Sequence, residues 1–400
     1  MNAVTPLAPR PGHVPPELVV DFDYRTPKGH TEDVHLAWKV LHSGPDIVWT
    51  PHYGGHWIAT RAEDIDVMQV DHQRFSYKHV TIPPVPEAPQ LAPLEYDPPE
   101  HTKYRQLLSP AFGPAPMQRL EPSLRTLSIE LLEEIIPRGR MDFFADFAKR
   151  MPVIAFLRLV DLPLSDREHL LELAEKAVRP QSQQDAIDAY TGLEAYTQHW
   201  IAERRRNPGP DLFSRMVNAT FDGRPINEHE LRGMLMNVIF GGLDTVTSAL
   251  TFTAHCLATR PDIRRQLRED MSLIPNAIEE FLRRFGIPNT ARVITHDFEY
   301  KGVQFKSGEQ VMMPKTLHGL DDRRYPDPLK IDIHRDVRRH AAFGDGPHRC
   351  PGSFLARQEL RIFIEEWLAR VPDFEVAPGE KPRTSSGPVN GMLYLPLVWH

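Results

Sequence analysis

The sequence predicts a mainly α protein, with one large helical part and a smaller β-rich part, built as a single domain over residues 1–400. Three observations carry this. Apolar positions keep helical spacing from about residue 100 to 284, with breaks near Pro137, Pro163, Pro180 and Pro208 to Pro210. Short β-rich runs lie before that block, and a second β-rich patch follows Arg284. No internal repeat appears, and no linker separates two autonomous cores.

Taken in order, residues Met1 to Pro16 are proline-rich and lack the apolar core of a signal peptide. Ile47-Val48-Trp49-Thr50 and His56-Trp57-Ile58-Ala59-Thr60 read as strands on either side of a Gly-Gly turn. His52 and His56 have zinc-like spacing there, but no companion ligand. Pro83, Pro84, Pro86, Pro89, Pro93, Pro98 and Pro99 exclude regular helix and central strand from residues 83–99. Asn227 with Glu230 three residues later reads as a capping box that opens a helix running to Arg260-Pro261, roughly 50 Å at 1.5 Å per residue. Gly241 and Gly242 stand in its middle, each costing about 1 kcal/mol relative to alanine. Such a pair implies something passing close by, and Asp244 and Thr245 follow at once. Glu280 and Arg283 are neighbours on one helix face. A loop rich in Asp, Arg and Pro spans 321–342, a helix follows Cys350 from Pro351 to Ala369, and the tail from Pro382 to His400 reads as turns and strands.

Composition narrows the function. Apolar residues make up 41% of the chain, enough for a substantial core, and a net charge of −7 with both signs mixed excludes a nucleic-acid footprint. Two cysteines cannot form a disulfide framework, which points to a reducing compartment, and no run of eighteen apolar residues suggests a membrane span. A cytoplasmic monomer is the expectation.

The chemistry centres on Phe343-Gly344-Asp345-Gly346-Pro347-His348-Arg349-Cys350-Pro351-Gly352. Glycines allow a bulky group close to the backbone, and a cysteine facing a helix N-terminus is favoured as thiolate. Cys256, inside an apolar helical pattern, reads instead as a small buried hydrophobe.

This loop resembles the haem-binding loop of the cytochrome P-450 family, F-G-x-G-x-H-x-C-x-G, and fills each fixed position. The resemblance implies heme b lying between distal and proximal helices, with Cys350 as the iron ligand and Phe343, His348 and Gly352 shaping the loop. Gly241-Gly242-Leu243-Asp244-Thr245 resembles the family's distal-helix motif, where the helix crosses the haem face and opens. There Gly242 borders the cofactor, while Asp244 and Thr245 manage the protons that oxygen receives. Glu280 and Arg283 match the E-x-x-R signature, with Arg335 as third member of a structural clamp. His101 and Arg105 match H-x-x-x-R, and with Arg292 and His348 they are implied to hold the haem carboxylates. Pro351 departs from the usual donor role beside the ligand, because proline has no N–H.

The implied activity is oxygen insertion into a C–H bond of a small hydrophobic substrate. The chain has no flavin fold and no iron–sulfur cysteine set, so electrons are expected from a [2Fe-2S] ferredoxin and its reductase, docking on cations such as Arg105, Arg338, Arg339 and Arg349. Likeness is strongest to the camphor-hydroxylating branch, notably at residues 241–246 and in the tail from Tyr394 to Trp399. That branch's substrate-binding tyrosine falls here at Pro89. The pocket positions fall at Val80, Gln90, Asn237, Phe240 and Val389, which suggests a terpenoid or norisoprenoid bound without that fixed donor, with any polar contact coming from Asn237 or Gln90. A peroxide-driven peroxygenase and a haem-based sensor are the rival readings. Asp244-Thr245 argues against the first.

Overall fold

The computed structural model describes residues 7–84, 89–178, 183–221, 223–337, 339–371 and 373–399. Pro86, Pro180 and Arg338 lie outside them. Among the described residues the helices are α1 (Val34–Lys39), α2 (Ala62–Val70), α3 (Glu100–Leu108), α4 (Pro114–Ile135), α5 (Arg150–Val160), α6 (Arg167–Val178), α7 (Gln183–Arg206), α8 (Leu212–Val217), α9 (Glu228–Thr259), α10 (Pro261–Glu269), α11 (Ile274–Arg284), α12 (Lys315–Gly319) and α13 (Ser353–Arg370). The strands are β1 (Ile47–Thr50), β2 (His56–Ala59), β3 (Phe75–Ser76), β4 (Arg140–Asp142), β5 (Thr220–Phe221), β6 (Arg224–Pro225), β7 (Asn289–Ile294), β8 (Phe298–Tyr300), β9 (Val303–Phe305), β10 (Gln310–Pro314), β11 (Phe374–Val376), β12 (Arg383–Ser385), β13 (Gly391–Tyr394) and β14 (Pro396–Trp399).

The largest sheet runs β1-β2-β10-β7-β3 and is antiparallel except where β10 lies parallel to β2. Ile47, Trp49, Trp57, Ile65, Phe75, Phe305 and Val311 form a core of their own between its strands, α2 and the β8–β9 hairpin. A smaller sheet, β11-β14-β4, joins the tail to the helical part.

The larger core belongs to the helices and is threaded by α9. Its start is the capping box that the sequence announces: the Asn227 side chain accepts from the Glu230 amide at 2.9 Å, and the Glu230 carboxylate accepts from the Asn227 amide at 2.9 Å. Leu231, Met234, Leu235, Met236, Ile239, Leu250 and Leu257 of this helix are all fully buried. By length and composition α9 could cross a membrane, but most of its apolar stretch is covered by the rest of the protein.

One expectation shifts in detail. The helix after the cysteine begins at Ser353 with Gly352 as N-cap, two residues later than its apolar pattern suggests. Pro122 sits inside α4 without ending it, because Leu124, Leu127, Leu131 and Leu132 bury one side of that helix.

Candidate active site

Cys350 closes a loop whose geometry follows from its glycines. Gly344 and Gly346 adopt φ of 67° and 65°, conformations that side-chain-bearing residues rarely hold. The turn brings the Cys350 amide within 2.8 Å of the Phe343 carbonyl, and Arg357 of α13 lies over the Phe343 ring at 4.4 Å. Arg357 is fixed in turn by Glu279 of α11 at 2.6 and 2.8 Å. Burial pushes the Cys350 thiol up; the Gly352 amide and then Arg105, Arg357 and Arg349 pull it back toward thiolate. Gly352 thus supplies the donor that Pro351 lacks.

Beside the cysteine lies a cluster of buried donors with too few acceptors. The Arg292 guanidinium carbon stands 3.2 Å from the Tyr77 ring centroid, His348 stacks on Tyr77 at 3.3 Å, and His101 meets His348 at 4.1 Å. Arg105 of α3 reaches the Arg349 carbonyl at 2.5 Å. Burial, then His101, Arg292 and Arg105, drive the His348 imidazole down to about 2, and burial with Arg105 lowers His101 to about 4. Both ring nitrogens of His101, Nε of Arg292 and Nε2 of His348 are buried with no hydrogen-bond partner. The one carboxylate felt by both His101 and Arg292, Asp97, is occupied by Ser76 and the Tyr77 amide. Orphaned N–H groups cost about 1–3 kcal/mol each when unsatisfied, and Arg292 with one N–H from each neutral histidine fits an anionic ligand. Two carboxylates on the group that the resemblance implies would meet that need. Tyr77 belongs to this cluster, and no sequence motif marks it.

Across the core, α9 continues unbroken through Gly241-Thr245, where the resemblance implies an opening. Thr245 Oγ1 donates to the Gly241 carbonyl at 3.1 Å, a back-bond that leaves the hydroxyl oxygen able to accept. A Cβ on Gly241 would meet nothing within 4 Å, whereas one on Gly242 would press on the Phe156 ring at 3.1 Å. The close approach at Gly242 is to α5, and Gly241 is the open position. Asp244 is buried beside Thr247 and near Lys149 and Glu175.

The predicted clamp is buried. Arg283 grips Glu280 at 2.7 and 2.8 Å, with both side chains fully covered. It also donates to the carbonyls of Gly319 at 2.6 Å and Pro328 at 2.9 Å. Arg335 adds a 3.3 Å contact to Glu280, and the Asp332 amide one of 2.9 Å. A Cβ at Gly319 would stand 1.9 Å from the Arg283 carbonyl, so glycine is what lets the segments close.

On the substrate side, Glu95 ties two stems of the proline-rich loop by accepting from the Val80 amide at 3.2 Å and the Leu91 amide at 3.0 Å. Val80 is buried, and its carbonyl accepts from Ala291 of β7 at 2.9 Å. Gln90 folds back, its amide donating to the Glu95 carbonyl, while its own carbonyl lies where a Cβ on Gly233 would be, 2.1 Å away. Asn237 donates to the Ala92 carbonyl at 3.2 Å. Both amide donors expected to meet substrate are thus engaged with protein. Phe240 is half-buried against Tyr190 at 5.5 Å, and Val389 bridges Pro288.

The family model for cytochrome P-450 matches residues 169–397. A probable cytochrome P-450 127A1 from Sinorhizobium fredii is 33% identical over 402 residues, covering 98% of this chain and 97% of that protein. The mycinamicin IV hydroxylase/epoxidase of Micromonospora griseorubida is 31% identical, with 87% of this chain and 91% of that protein covered. Among solved structures, CYP101J2 superimposes with a TM-score of 0.90 at 38% identity and CYP101C1 with 0.91 at 36%, each covering 98% of this chain and 100% of the other. Likeness of that extent reaches past the cysteine loop to the whole path of the backbone, and it makes this chain a member of the cytochrome P-450 family, an oxidoreductase that uses heme b.

Proposed function

We propose that this monooxygenase hydroxylates a terpenoid or norisoprenoid of about camphor size or larger, taking electrons from a [2Fe-2S] ferredoxin served by its reductase. The overall change is R–H + O2 + 2 e− + 2 H+ → R–OH + H2O. When bound, the haem supplies the activation of O2, with thiolate electron density favouring O–O cleavage. The chain's part is to hold and shield. Cys350 sits in its glycine-turned loop, Thr245 presents a hydroxyl oriented by Gly241, and Asp244 stands one residue away as proton carrier.

The observation that carries the substrate reading is the engagement of Gln90 and Asn237 with Glu95 and Ala92. With one N–H of each amide committed to the protein and Pro89 unable to give one, Phe240 and Val389 select mainly by shape. A hydrocarbon surface suits such a pocket, while a ketone finds no donor at Pro89. Apolar walls discriminate by only about 1–3 kcal/mol per methylene, so several related molecules should bind. On the cysteine side, Arg105, Arg339 and Arg349 offer positive charge to an acidic ferredoxin, although the chain carries −7 overall.

Titration of the ferric protein with a panel of terpenoids and norisoprenoids tests this, read as the haem spin-state shift and followed by turnover with NADH, ferredoxin and reductase. Apolar members should shift the spectrum and give alcohol, camphor should do so weakly, and transfer from ferredoxin should slow as salt rises. Tight camphor binding with one clean product, or a salt-independent transfer rate, would contradict it.

A further inference from the structure

Lys315 opens α12 directly after β10, and its side chain is buried. Nζ has one hydrogen-bond partner, Oε1 of Gln69 at 3.0 Å. The backbone carbonyl of the same Gln69 accepts the Tyr77 hydroxyl at 2.7 Å, and Tyr77 carries Arg292 and His348 against its ring. Lys315 is thus joined through Gln69 and Tyr77 to the residues of the donor cluster. The charged groups facing it are Arg292 from β7, Asp66 from α2, His318 from its own helix and Asp345 from the cysteine loop. Asp66 already serves His318 at 3.0 Å and Arg324 at 3.1 Å. A buried ammonium with one neutral hydrogen-bond partner and so little counter-charge is short of an anion.

Resting on the haem reading above, we propose that Lys315 is a further cation of the haem-carboxylate pocket, and that it makes haem retention depend on pH. Burial first, then Arg292, lower the Lys315 ammonium to about 7, partly offset by Asp66 and Asp345. Two carboxylates arriving beside it favour the charged form and raise that value. Below pH 7 the amine is charged with or without haem. At higher pH it is charged only in the haem-bound protein, so haem binding takes up a proton there and weakens as pH rises. One linked proton gives at most about tenfold per pH unit. His101 and His348, lowered to about 4 and about 2, titrate below this window.

The test is the equilibrium partition of haem between the protein and apomyoglobin at pH 7 and pH 9, for wild type, Lys315→Met and Lys315→Arg. Measured against Lys315→Arg, wild type should hold haem about tenfold more weakly at pH 9 than at pH 7. Lys315→Met should hold it more weakly than Lys315→Arg at both pH values, by the same factor. A Lys315→Met protein with wild-type affinity and pH dependence would overturn the proposal, as would a Lys315→Arg protein as weak as wild type at pH 9. A wild-type chain that binds no haem would overturn the haem reading as well, which separates the two failures.

Discussion

Arg283→Ala should lower the unfolding free energy by about 3–5 kcal/mol, because it strands a fully buried carboxylate. The arithmetic of an exposed ion pair, under about 1 kcal/mol, does not apply where neither side chain touches solvent. Glu280 would keep the Asp332 amide and Arg335 but lose its bidentate partner, and the carbonyls of Gly319 and Pro328 would lose their donor. Those carbonyls fasten the loop before the cysteine to α11, so haem content should fall along with stability. Denaturant midpoints would read the loss. The Glu280→Ala, Arg283→Ala double variant should cost clearly less than the sum of the single ones, since removing both charges leaves none unpaired. Additive single costs below 1 kcal/mol would show the pair to be ornamental.

Thr245→Ala should go on consuming NADH while the product changes from alcohol to hydrogen peroxide. Thr245 Oγ1 gives its proton to Gly241, so its oxygen is held as an acceptor at the open position of α9. Alanine removes that oxygen without disturbing the buried face of the helix. Asp244→Asn keeps shape and burial but removes the ionisable group, and turnover should fall by about 10²- to 10⁴-fold, the usual range for positioned acid–base groups. Stoichiometry of NADH, O2, alcohol and peroxide separates these outcomes. Normal coupling in Thr245→Ala would remove the residue from proton handling.

What could be read from the sequence was what local chemistry dictates. The Asn227–Glu230 box, the strands at 47–50 and 56–59, the Glu280–Arg283 pair and the cysteine loop each advertise themselves by residue type at fixed spacing. What stayed hidden depends on contacts far apart in the chain. Tyr77 lies against Arg292 and His348 because β3 pairs with β7 and the loop folds over both, and no motif encodes that pairing. Lys315 stands in no motif, and only the end of β10 brings it to Gln69. Gly241 and Gly242 stand side by side in sequence, and it is packing against Phe156 that sets Gly242 apart. The donors of Gln90 and Asn237 were legible as amides, but their capture by Glu95 and Ala92 was not.

The claim on which the rest depends is that the Cys350 sulfur binds the iron, and the reduced, CO-bound absorption spectrum tests it most directly. Wild type should show the red-shifted Soret band of a thiolate-ligated haem, and Cys350→Ser should lose that band while Cys256→Ser, whose thiol is buried and pushed up to about 12, keeps it. An unchanged thiolate-type band in Cys350→Ser would contradict the account.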